Sequence, residues 1–422
     1  MTDGPVWLED GAPFVWRPYQ AMLGGAPPLA VARTEGVRLV LDDGRALIDG
    51  IASWWTACHG YNHPHIVSAI QAQAARMPHV MFGGLAHEGA YRLAARLARM
   101  LPGELNHVFF ADSGSVAVEI AMKMAVQYWL NRGVSGRSLF LSFRGGYHGD
   151  TLATMSVCDP DEGMHWLFRG VFPDQVLADL PLNDANEAML DAILTDRGPR
   201  IAAILVEPLI QGAGGMIFHD AGVLKRLRRL ADKHDVLLIF DEIFTGFGRT
   251  GTLFAMEAAG IEPDIVTLSK ALTGGTLPLS CAVANERVFS AFLSADPSKA
   301  LMHGPTFMAN PLACAAANAS LDLFETGDWQ GDVARIERGL RLGLEPCRTL
   351  SGVVDVRVRG ATGVVAFETS VDVQGLTHQF AERGCWIRPM GKLVYLTPPL
   401  VIVDEDLALL TGVLAQTLVQ GR

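Results

Sequence analysis

Four short and almost entirely apolar segments constrain the fold of this chain more than any other feature of its sequence. They span residues 138–143 (SLFLSF), 201–208 (IAAILVEP), 236–242 (VLLIFDE) and 264–270 (DIVTLSK). Strands that are apolar on both faces are typical of a parallel sheet that helices cover on each side. A helical periodicity precedes the first segment, over residues 116–130. The sequence therefore predicts an α/β fold with a large, mostly parallel central sheet flanked by helices.

The two ends of the chain follow a different pattern. Residues 37–49 (VRLVLDDGRALID) alternate around a D-D-G turn, as a hairpin does. Residues 353–360 are strand-like again, and a helical pattern closes the chain. We therefore expect a large domain over residues 61–310 and a smaller α+β domain built from residues 1–60 and 311–422.

Charge and composition exclude several classes of protein. Half of the residues are hydrophobic, and 34 basic residues against 45 acidic ones leave a net charge of −11. The sequence has no basic stripe with interleaved aromatics, so nucleic acid is not an expected partner. It has no run of about 18 uncharged apolar residues, so no membrane span is expected. Residues 1–10 lack the basic and apolar parts of a signal peptide, and we therefore expect a cytoplasmic protein.

The cysteines and histidines do not predict a metal site. The six cysteines are far apart and include no C-x-x-C pair, which is typical of reduced thiols. His59 and His63 have the i, i+4 spacing of metal ligands on a helix. Gly60, Asn62 and Pro64 disfavour a helix in that segment. We therefore expect no metal.

A candidate phosphate site lies at residues 113–115. Ser113, Gly114 and Ser115 follow a short strand pattern and precede the helical pattern of residues 116–130. A helix N-terminus offers free N–H groups and the positive end of a dipole, and small residues let a phosphate approach closely. The alternative is an ordinary serine N-cap without a ligand.

Asp241 and Lys270 each stand at the end of an apolar strand. In open parallel α/β sheets, ligands bind at the edge formed by these strand ends. A carboxylate there could keep the ring nitrogen of a cofactor protonated. A lysine that is partly buried has a lowered pKa and becomes nucleophilic. The alternatives are a capping aspartate and a lysine that extends from a strand end to solvent.

Gly246, Gly248 and Gly251 spell the G-x-G-x-x-G motif of dinucleotide-binding proteins. That motif works only directly after a strand and at the start of a helix. Four residues separate it from the strand that ends at Asp241, and the acid at the right distance, Asp264, would begin the next strand. The sequence therefore disfavours a dinucleotide site.

The order and spacing of these segments resemble the class III aminotransferases, which depend on pyridoxal phosphate and have fold type I. A glycine-rich loop, residues 143–151 (FRGGYHGDT), belongs to the same pattern. Within that family the resemblance is to the branch that acts in biotin biosynthesis. The segments that carry it are 16–19 (WRPY), 53–64 (SWWTACHGYNHP), 81–88 (MFGGLAHE), 145–151 (GGYHGDT), 303–315 (HGPTFMANPLACA) and 386–399 (WIRPMGKLVYLTPP).

The resemblance implies roles for residues around the cofactor. Lys270 would carry pyridoxal phosphate covalently and then act as general acid and base. Asp241 would pair with the pyridinium nitrogen, Tyr147 would stack on the ring, and Glu207 would lie near it. The residues that would bind the phosphate are Ser113, Gly114 and Ser115, together with Pro305 and Thr306 from the other subunit of a homodimer.

The resemblance also implies two small-molecule substrates, handled in turn by a ping-pong reaction through pyridoxamine phosphate. S-adenosylmethionine would donate the amino group, and 8-amino-7-oxononanoate would accept it to give 7,8-diaminononanoate. Arg388 would pair with the acceptor's carboxylate, and Asp150 would take the donor's amino group. The remaining substrate residues would be Tyr19, Trp54, Trp55 and Gly304.

Several alternatives stay open on the sequence alone. Trp54 or Trp55 could be core residues, and Arg388 could form a surface ion pair. Another class III aminotransferase could act on an ω-amino acid or a diamine, and a related variant could use lysine as donor. A mutase or decarboxylase would share Lys270 and Asp241.

Overall fold

The computed structural model describes residues 4–161, 166–168, 170–171 and 174–420. The strands of this part are β1 (Val31–Glu35), β2 (Arg38–Leu41), β3 (Ala46–Asp49), β4 (Leu105–Ala111), β5 (Leu139–Phe143), β6 (Val176–Ala178), β7 (Ile201–Val206), β8 (Ile210–Gln211), β9 (Ile217–Phe218), β10 (Leu237–Asp241), β11 (Ile265–Leu268), β12 (Ser280–Asn285), β13 (Val353–Arg359), β14 (Thr362–Phe367), β15 (Cys385–Trp386) and β16 (Leu393–Leu396). The helices are α1 (Val6–Gly11), α2 (Ala52–Trp55), α3 (Pro64–Arg76), α4 (Glu88–Met100), α5 (Gly114–Asn131), α6 (Leu152–Ser156), α7 (Asp184–Arg197), α8 (Ala221–Lys233), α9 (Glu286–Ser290), α10 (Pro311–Thr326), α11 (Trp329–Leu344), α12 (Val373–Glu382) and α13 (Asp404–Gln420).

The described residues form two compact units, and the larger one comprises residues 55–57 and 64–334. Its main sheet has the strand order β4-β12-β11-β10-β7-β5-β6. The strands β11, β10, β7, β5 and β6 are parallel to one another, and β12 runs antiparallel to both of its neighbours. The predicted α/β fold with a mostly parallel sheet is confirmed.

One hydrophobic core cluster of the larger unit lies between this sheet and α5. Small residues such as Ala121 and Ala125 let the helix approach the strands closely, and both are buried. Trp129 is buried at the far end of α5, where its Nε1 donates to the carbonyl oxygen of Ala202 in β7 at 2.9 Å. Because a buried indole N–H needs a partner, this bond fixes how α5 lies along the sheet. The start of α5 is thereby placed beside the strand ends.

The smaller unit comprises residues 4–54, 58–63 and 335–420 of the described chain. One of its sheets has the order β1-β2-β3-β15, and the other has the order β13-β14-β16. The antiparallel pair β2–β3 is the hairpin predicted from residues 37–49, and Gly44 in its turn has a φ of +86°. α13 supplies buried residues such as Leu410 and Leu414 to the core of this unit.

Within the described residues, no helix is both long enough and apolar enough to cross a lipid bilayer.

Candidate active site

The strand ends of the larger unit bring Asp241 and Lys270 to the same edge of the sheet. β10 and β11 are parallel neighbours, and Asp241 pairs with Thr267. Asp241 is the last residue of β10, and Lys270 follows the end of β11 by two residues. A pocket opens at this edge, lined by Trp55, Gly114, Ser115, Tyr147, His148, Gly149, Glu207, Asp241, Ile243, Phe244, Ser269 and Lys270. The pocket therefore gathers a lysine, buried carboxylates and a helix N-terminus.

The backbone φ of Lys270 and the pKa of its amine are both unusual for a lysine. Its φ of +48° lies in the left-handed region, where a non-glycine residue is strained. Desolvation lowers the pKa of its amine to about 8, although Asp241, Glu207 and Asp150 favour the charged form. The amine lies 4.2 Å from the ring centroid of Trp55. A pKa this low leaves a substantial fraction of the amine neutral and nucleophilic near neutral pH.

Asp241 is held by partners on several sides. Its Oδ2 lies 2.9 Å from Nδ1 of His148, and both side chains are buried. Its Oδ1 accepts from the hydroxyl of Thr267 at 3.3 Å and from the amide of Ile243 at 3.2 Å. A carboxylate with this many partners has a fixed orientation and stays a strong acceptor. The sequence pattern places His148 in the glycine-rich loop of residues 143–151 and indicates no role for it.

The N-terminus of α5 forms another wall of the pocket. Ser113 caps the helix by accepting from the amide of Val116 at 3.4 Å. Ser115 Oγ accepts from the amide of Asp150 at 3.1 Å, which ties the glycine-rich loop to the helix. A Cβ on Gly149 would lie 2.3 Å from that hydroxyl. The close approach therefore requires glycine, and it leaves helix N–H groups and small residues facing the pocket.

Tyr147 and Glu207 link the glycine-rich loop to the strand ends. The hydroxyl of Tyr147 donates to Oδ1 of Asp150 at 2.7 Å, and its amide donates to Oε2 of Glu207 at 2.9 Å. The other oxygen of Glu207 accepts from the amide of Gly212 at 2.8 Å. Burial raises the pKa of Glu207 to about 7, and His148 opposes that rise. Through its two oxygens, Glu207 therefore fixes the backbone at Tyr147 and at Gly212.

The residues predicted for the substrate divide between the two units. Trp55 belongs to the larger unit, where its ring centroid lies 4.4 Å from that of Phe244. Trp54 belongs to the smaller unit, where the guanidinium of Arg388 lies 4.9 Å from its ring centroid. The ring of Tyr19 meets Trp54 edge-on at 6.1 Å. Tyr19, Trp54 and Arg388 therefore form one cluster in the smaller unit, which we call the Trp54 cluster.

Gly304, Pro305 and Thr306 do not line the pocket of their own chain. They lie in an extended loop before α10, in which Gly304 and Thr306 are exposed. Ser113 and Asp150 are likewise absent from the lining. Ser113 caps the helix whose first two residues line the pocket, and Asp150 contacts Tyr147 and Ser115. Sequence reasoning missed Ile243, Phe244 and Ser269 as lining residues. Their proximity to the predicted motifs was the only available signal.

The side chains and backbone groups of the pocket match the functional groups of pyridoxal phosphate, and the glycines leave room for it. Its phosphate matches the N–H groups and hydroxyls at the start of α5, where glycines replace side chains at close approaches. Its ring nitrogen matches the buried carboxylate of Asp241, and its aldehyde matches the Lys270 amine. Within the described residues, no cluster of side chains suited to a metal ion competes with this interpretation.

Comparisons with known proteins agree with this chemistry. A sequence model of the family described as Aminotransferase class-III matches residues 19–418. The adenosylmethionine-8-amino-7-oxononanoate aminotransferase of Corynebacterium glutamicum is 46% identical over 93% of this chain and 94% of its own. The crystal structure of the enzyme with that name from Methanocaldococcus jannaschii superposes with a TM-score of 0.93, at 30% identity and 98% coverage of both chains. An amine transaminase from an uncultivated Pseudomonas species, solved with pyridoxal phosphate bound, superposes with a TM-score of 0.89 at 32% identity, covering 96% of this chain and 98% of its own.

The match extends over the strands that carry Asp241 and Lys270 as well as over both ends of the chain. The chain belongs to the class III aminotransferase family and is a pyridoxal-phosphate-dependent transaminase.

Proposed function

We propose that this enzyme transfers the amino group of S-adenosylmethionine to 8-amino-7-oxononanoate, giving 7,8-diaminononanoate in biotin biosynthesis. Relatives that carry the name adenosylmethionine-8-amino-7-oxononanoate aminotransferase support the substrate pair, because they match nearly the whole chain. The observation that carries the chemistry is the Lys270 amine, whose pKa is lowered to about 8 beside the buried Asp241.

Lys270 and Asp241 have separate roles in this proposal. When bound, pyridoxal phosphate supplies an electron sink for negative charge that develops on the substrate carbon. The carboxylate of Asp241, oriented by His148, holds a proton at the ring nitrogen. The amine of Lys270 takes a proton from the substrate carbon and returns it at the next step, which an amine with a pKa near the working pH does efficiently.

Tyr147, Glu207 and the start of α5 position the cofactor. We assign the phosphate to Gly114 and Ser115 at the helix N-terminus, with Ser113 as the cap. We assign the ring face to Tyr147, whose backbone is held by Glu207.

A homodimer is part of the proposal. Pro305 and Thr306 lie in a loop that does not line the pocket of its own chain. We propose that this loop, with Gly304, completes the phosphate and substrate sites of the partner subunit. We also propose that the enzyme is cytoplasmic, since all six cysteines are free and buried.

Charge and aromatic character support the substrate assignment. Within the described part of the chain, Arg388 forms no ion pair, and its guanidinium lies over the ring of Trp54. A guanidinium placed in this way can accept a substrate carboxylate in a bidentate pair. The carboxylate of Asp150, held by Tyr147, can receive the donor's amino group. Aromatic rings such as Trp54 and Trp55 suit a sulfonium cation.

The second candidate keeps the acceptor and replaces S-adenosylmethionine with lysine, because Asp150 would attract either donor's amino group. A broader ω-transaminase is a third candidate, since ω-transaminase structures superpose with TM-scores of about 0.90. Their identities of 27–29% are lower than that of the Corynebacterium relative. The donor and the acceptor must therefore be tested separately.

The first test follows the absorbance of the bound cofactor through each half-reaction. S-adenosylmethionine is added alone to one sample of the holoenzyme, and lysine is added alone to another. We expect the band to bleach with S-adenosylmethionine and to return when 8-amino-7-oxononanoate follows. Bleaching by lysine only would replace the donor, and a band that the acceptor never restores would refute the acceptor.

The second test isolates the role of Arg388. We expect Arg388→Met to lower kcat/KM for the acceptor by about 10- to 100-fold, since a hydrogen bond to a charged group contributes about 1.5–3 kcal/mol. The rate of the first half-reaction should change much less, because the proposal assigns Arg388 to the carboxylate of the acceptor. Arg341→Met, at an exposed arginine on α11, is the matched control. Equal losses in the two half-reactions would contradict the role.

A further inference from the structure

The short element α2, Ala52–Trp55, is not a right-handed helix but a left-handed turn made of four non-glycine residues. The φ angles are +47° at Ala52, +46° at Ser53, +54° at Trp54 and +75° at Trp55. Single non-glycine residues visit this region at a cost in free energy, and consecutive ones are rare. A turn of this kind persists only where surrounding contacts hold it.

Asp49 supplies those contacts from the end of β3. Its Oδ1 accepts from the amide of Ile51 at 2.9 Å, and its Oδ2 accepts from the amide of Ser53 at 2.7 Å. The hydroxyl of Tyr61 donates to Oδ2 at 2.5 Å and also contacts the hydroxyl of Ser53. The carboxyl group of Asp49 is fully buried. A buried carboxylate that receives donors on both oxygens has a single orientation, and it therefore fixes the turn.

The position of Asp49 links the turn to Arg388. β3 pairs with β15 in parallel, with Asp49 opposite Trp386. Arg388 follows β15 by two residues, so the two segments leave adjacent strands side by side. The guanidinium of Arg388 then meets the ring of Trp54 at 4.9 Å. Trp54 therefore reaches Arg388 only while the backbone after Asp49 keeps its left-handed course.

We infer that Asp49 is a positioning residue that holds the left-handed turn and so keeps the Trp54 ring against Arg388, which sets the recognition of the acceptor's carboxylate. The recognition part rests on the proposed function, whereas the structural part does not. Asp49 has no part in the chemistry at Lys270 or in phosphate binding. Its consequence is confined to substrate selection in the Trp54 cluster.

Two variants test separately the carboxylate of Asp49 and the hydroxyl of Tyr61 that donates to it. Asp49→Asn keeps the size of the side chain but turns one acceptor oxygen into an NH₂ group that faces donors, so a backbone bond to the turn is lost. Tyr61→Phe leaves the carboxylate in place and removes only the hydroxyl, so it should have a smaller effect. It also provides a test if Asp49→Asn fails to fold.

The functional readout is the ratio of kcat/KM for 8-amino-7-oxononanoate to that for its methyl ester, which lacks the carboxylate charge. Arg388→Met is measured in parallel as the reference for complete loss of carboxylate recognition. We expect Asp49→Asn to lower the ratio on the order of tenfold, mainly through KM. The first half-reaction should keep its kcat.

The structural readout needs no substrate. The difference in near-ultraviolet circular dichroism between the protein and its Trp54→Phe variant isolates the signal of Trp54. We expect Asp49→Asn to lose that signal. A second substitution, Ser53→Gly, relieves left-handed strain at an exposed position. We therefore expect Asp49→Asn/Ser53→Gly to recover both the signal and the ratio in part.

The outcomes are distinct. An unchanged Trp54 signal in Asp49→Asn overturns the inference, as does a lowered Tm with an unchanged acid-to-ester ratio. No recovery with Ser53→Gly also overturns it. If Arg388→Met leaves the ratio unchanged, the carboxylate role in the proposed function fails, while loss of the Trp54 signal in Asp49→Asn would still support the positioning of the turn.

Discussion

The lowered pKa of Lys270 predicts how fast the apoprotein captures its cofactor as the pH changes. An ordinary lysine has a pKa near 10.5, and desolvation lowers the pKa of Lys270 to about 8. At pH 7.5 the neutral, nucleophilic fraction is then about a quarter, against about one part in a thousand for an ordinary lysine. The structure thus predicts covalent capture roughly 200-fold faster at pH 7.5 than an unperturbed amine would allow.

The assay mixes apoprotein with pyridoxal phosphate between pH 6 and pH 10 and traps the covalent adduct with borohydride at set times. We expect the rate to rise about tenfold per pH unit below pH 8 and to level off above it, because the amine loses its proton near that value. Mass spectrometry should place the label on Lys270, and Lys270→Ala should show only the slow background of surface amines. A rate that keeps rising to pH 10 would refute the desolvation argument.

Two further predictions concern residues that line the pocket. His148→Leu removes the partner that lies 2.9 Å from Asp241. We expect kcat to fall about tenfold or more because a hydrogen bond to a charged group is lost. An unchanged kcat in stopped-flow half-reactions would contradict this. Gly149→Ala places a Cβ 2.3 Å from Ser115 Oγ, so we expect cofactor affinity to fall at least tenfold by equilibrium titration. Gly136→Ala is the matched control, since Gly136 also has a positive φ but no neighbour within 4 Å of the added Cβ. Equal losses of cofactor affinity in both variants would show that backbone strain alone is responsible.

The larger sheet could be predicted from the sequence where burial leaves a clear pattern. The apolar runs at β5, β7, β10 and β11 lie within two residues of the observed strands, because burial on both faces removes polar positions. β12 was not predicted as a strand, and it starts with a serine and ends with an asparagine. Its antiparallel direction is set by the connections of the chain, which periodicity does not encode.

Part of the site could also be predicted, because the topology of a parallel sheet brings the ends of neighbouring strands together. Asp241 and Lys270 end neighbouring parallel strands, so their proximity follows from the topology. The contact of His148 with Asp241 spans 93 residues, and it requires the loop after β5 to reach across β7 to the end of β10. Such a contact depends on the course of one loop. Local sequence patterns do not specify that course.

Backbone strain explains why Tyr19, Trp54 and Trp55 were accessible to sequence reasoning only through resemblance. Tyr19, Trp54, Trp55 and Lys270 all have positive φ angles, between +52° and +75° for the aromatic residues and +48° for the lysine. Propensity rules assign such backbone to glycine or asparagine, so they give no reason to place large side chains there. Each of these residues costs about 1–3 kcal/mol in the folded chain. At a positive φ, the side chain of a bulky residue points in a direction that an unstrained backbone conformation would not give it. For Lys270, that direction places the amine beside Trp55 within the pocket that contains Asp241.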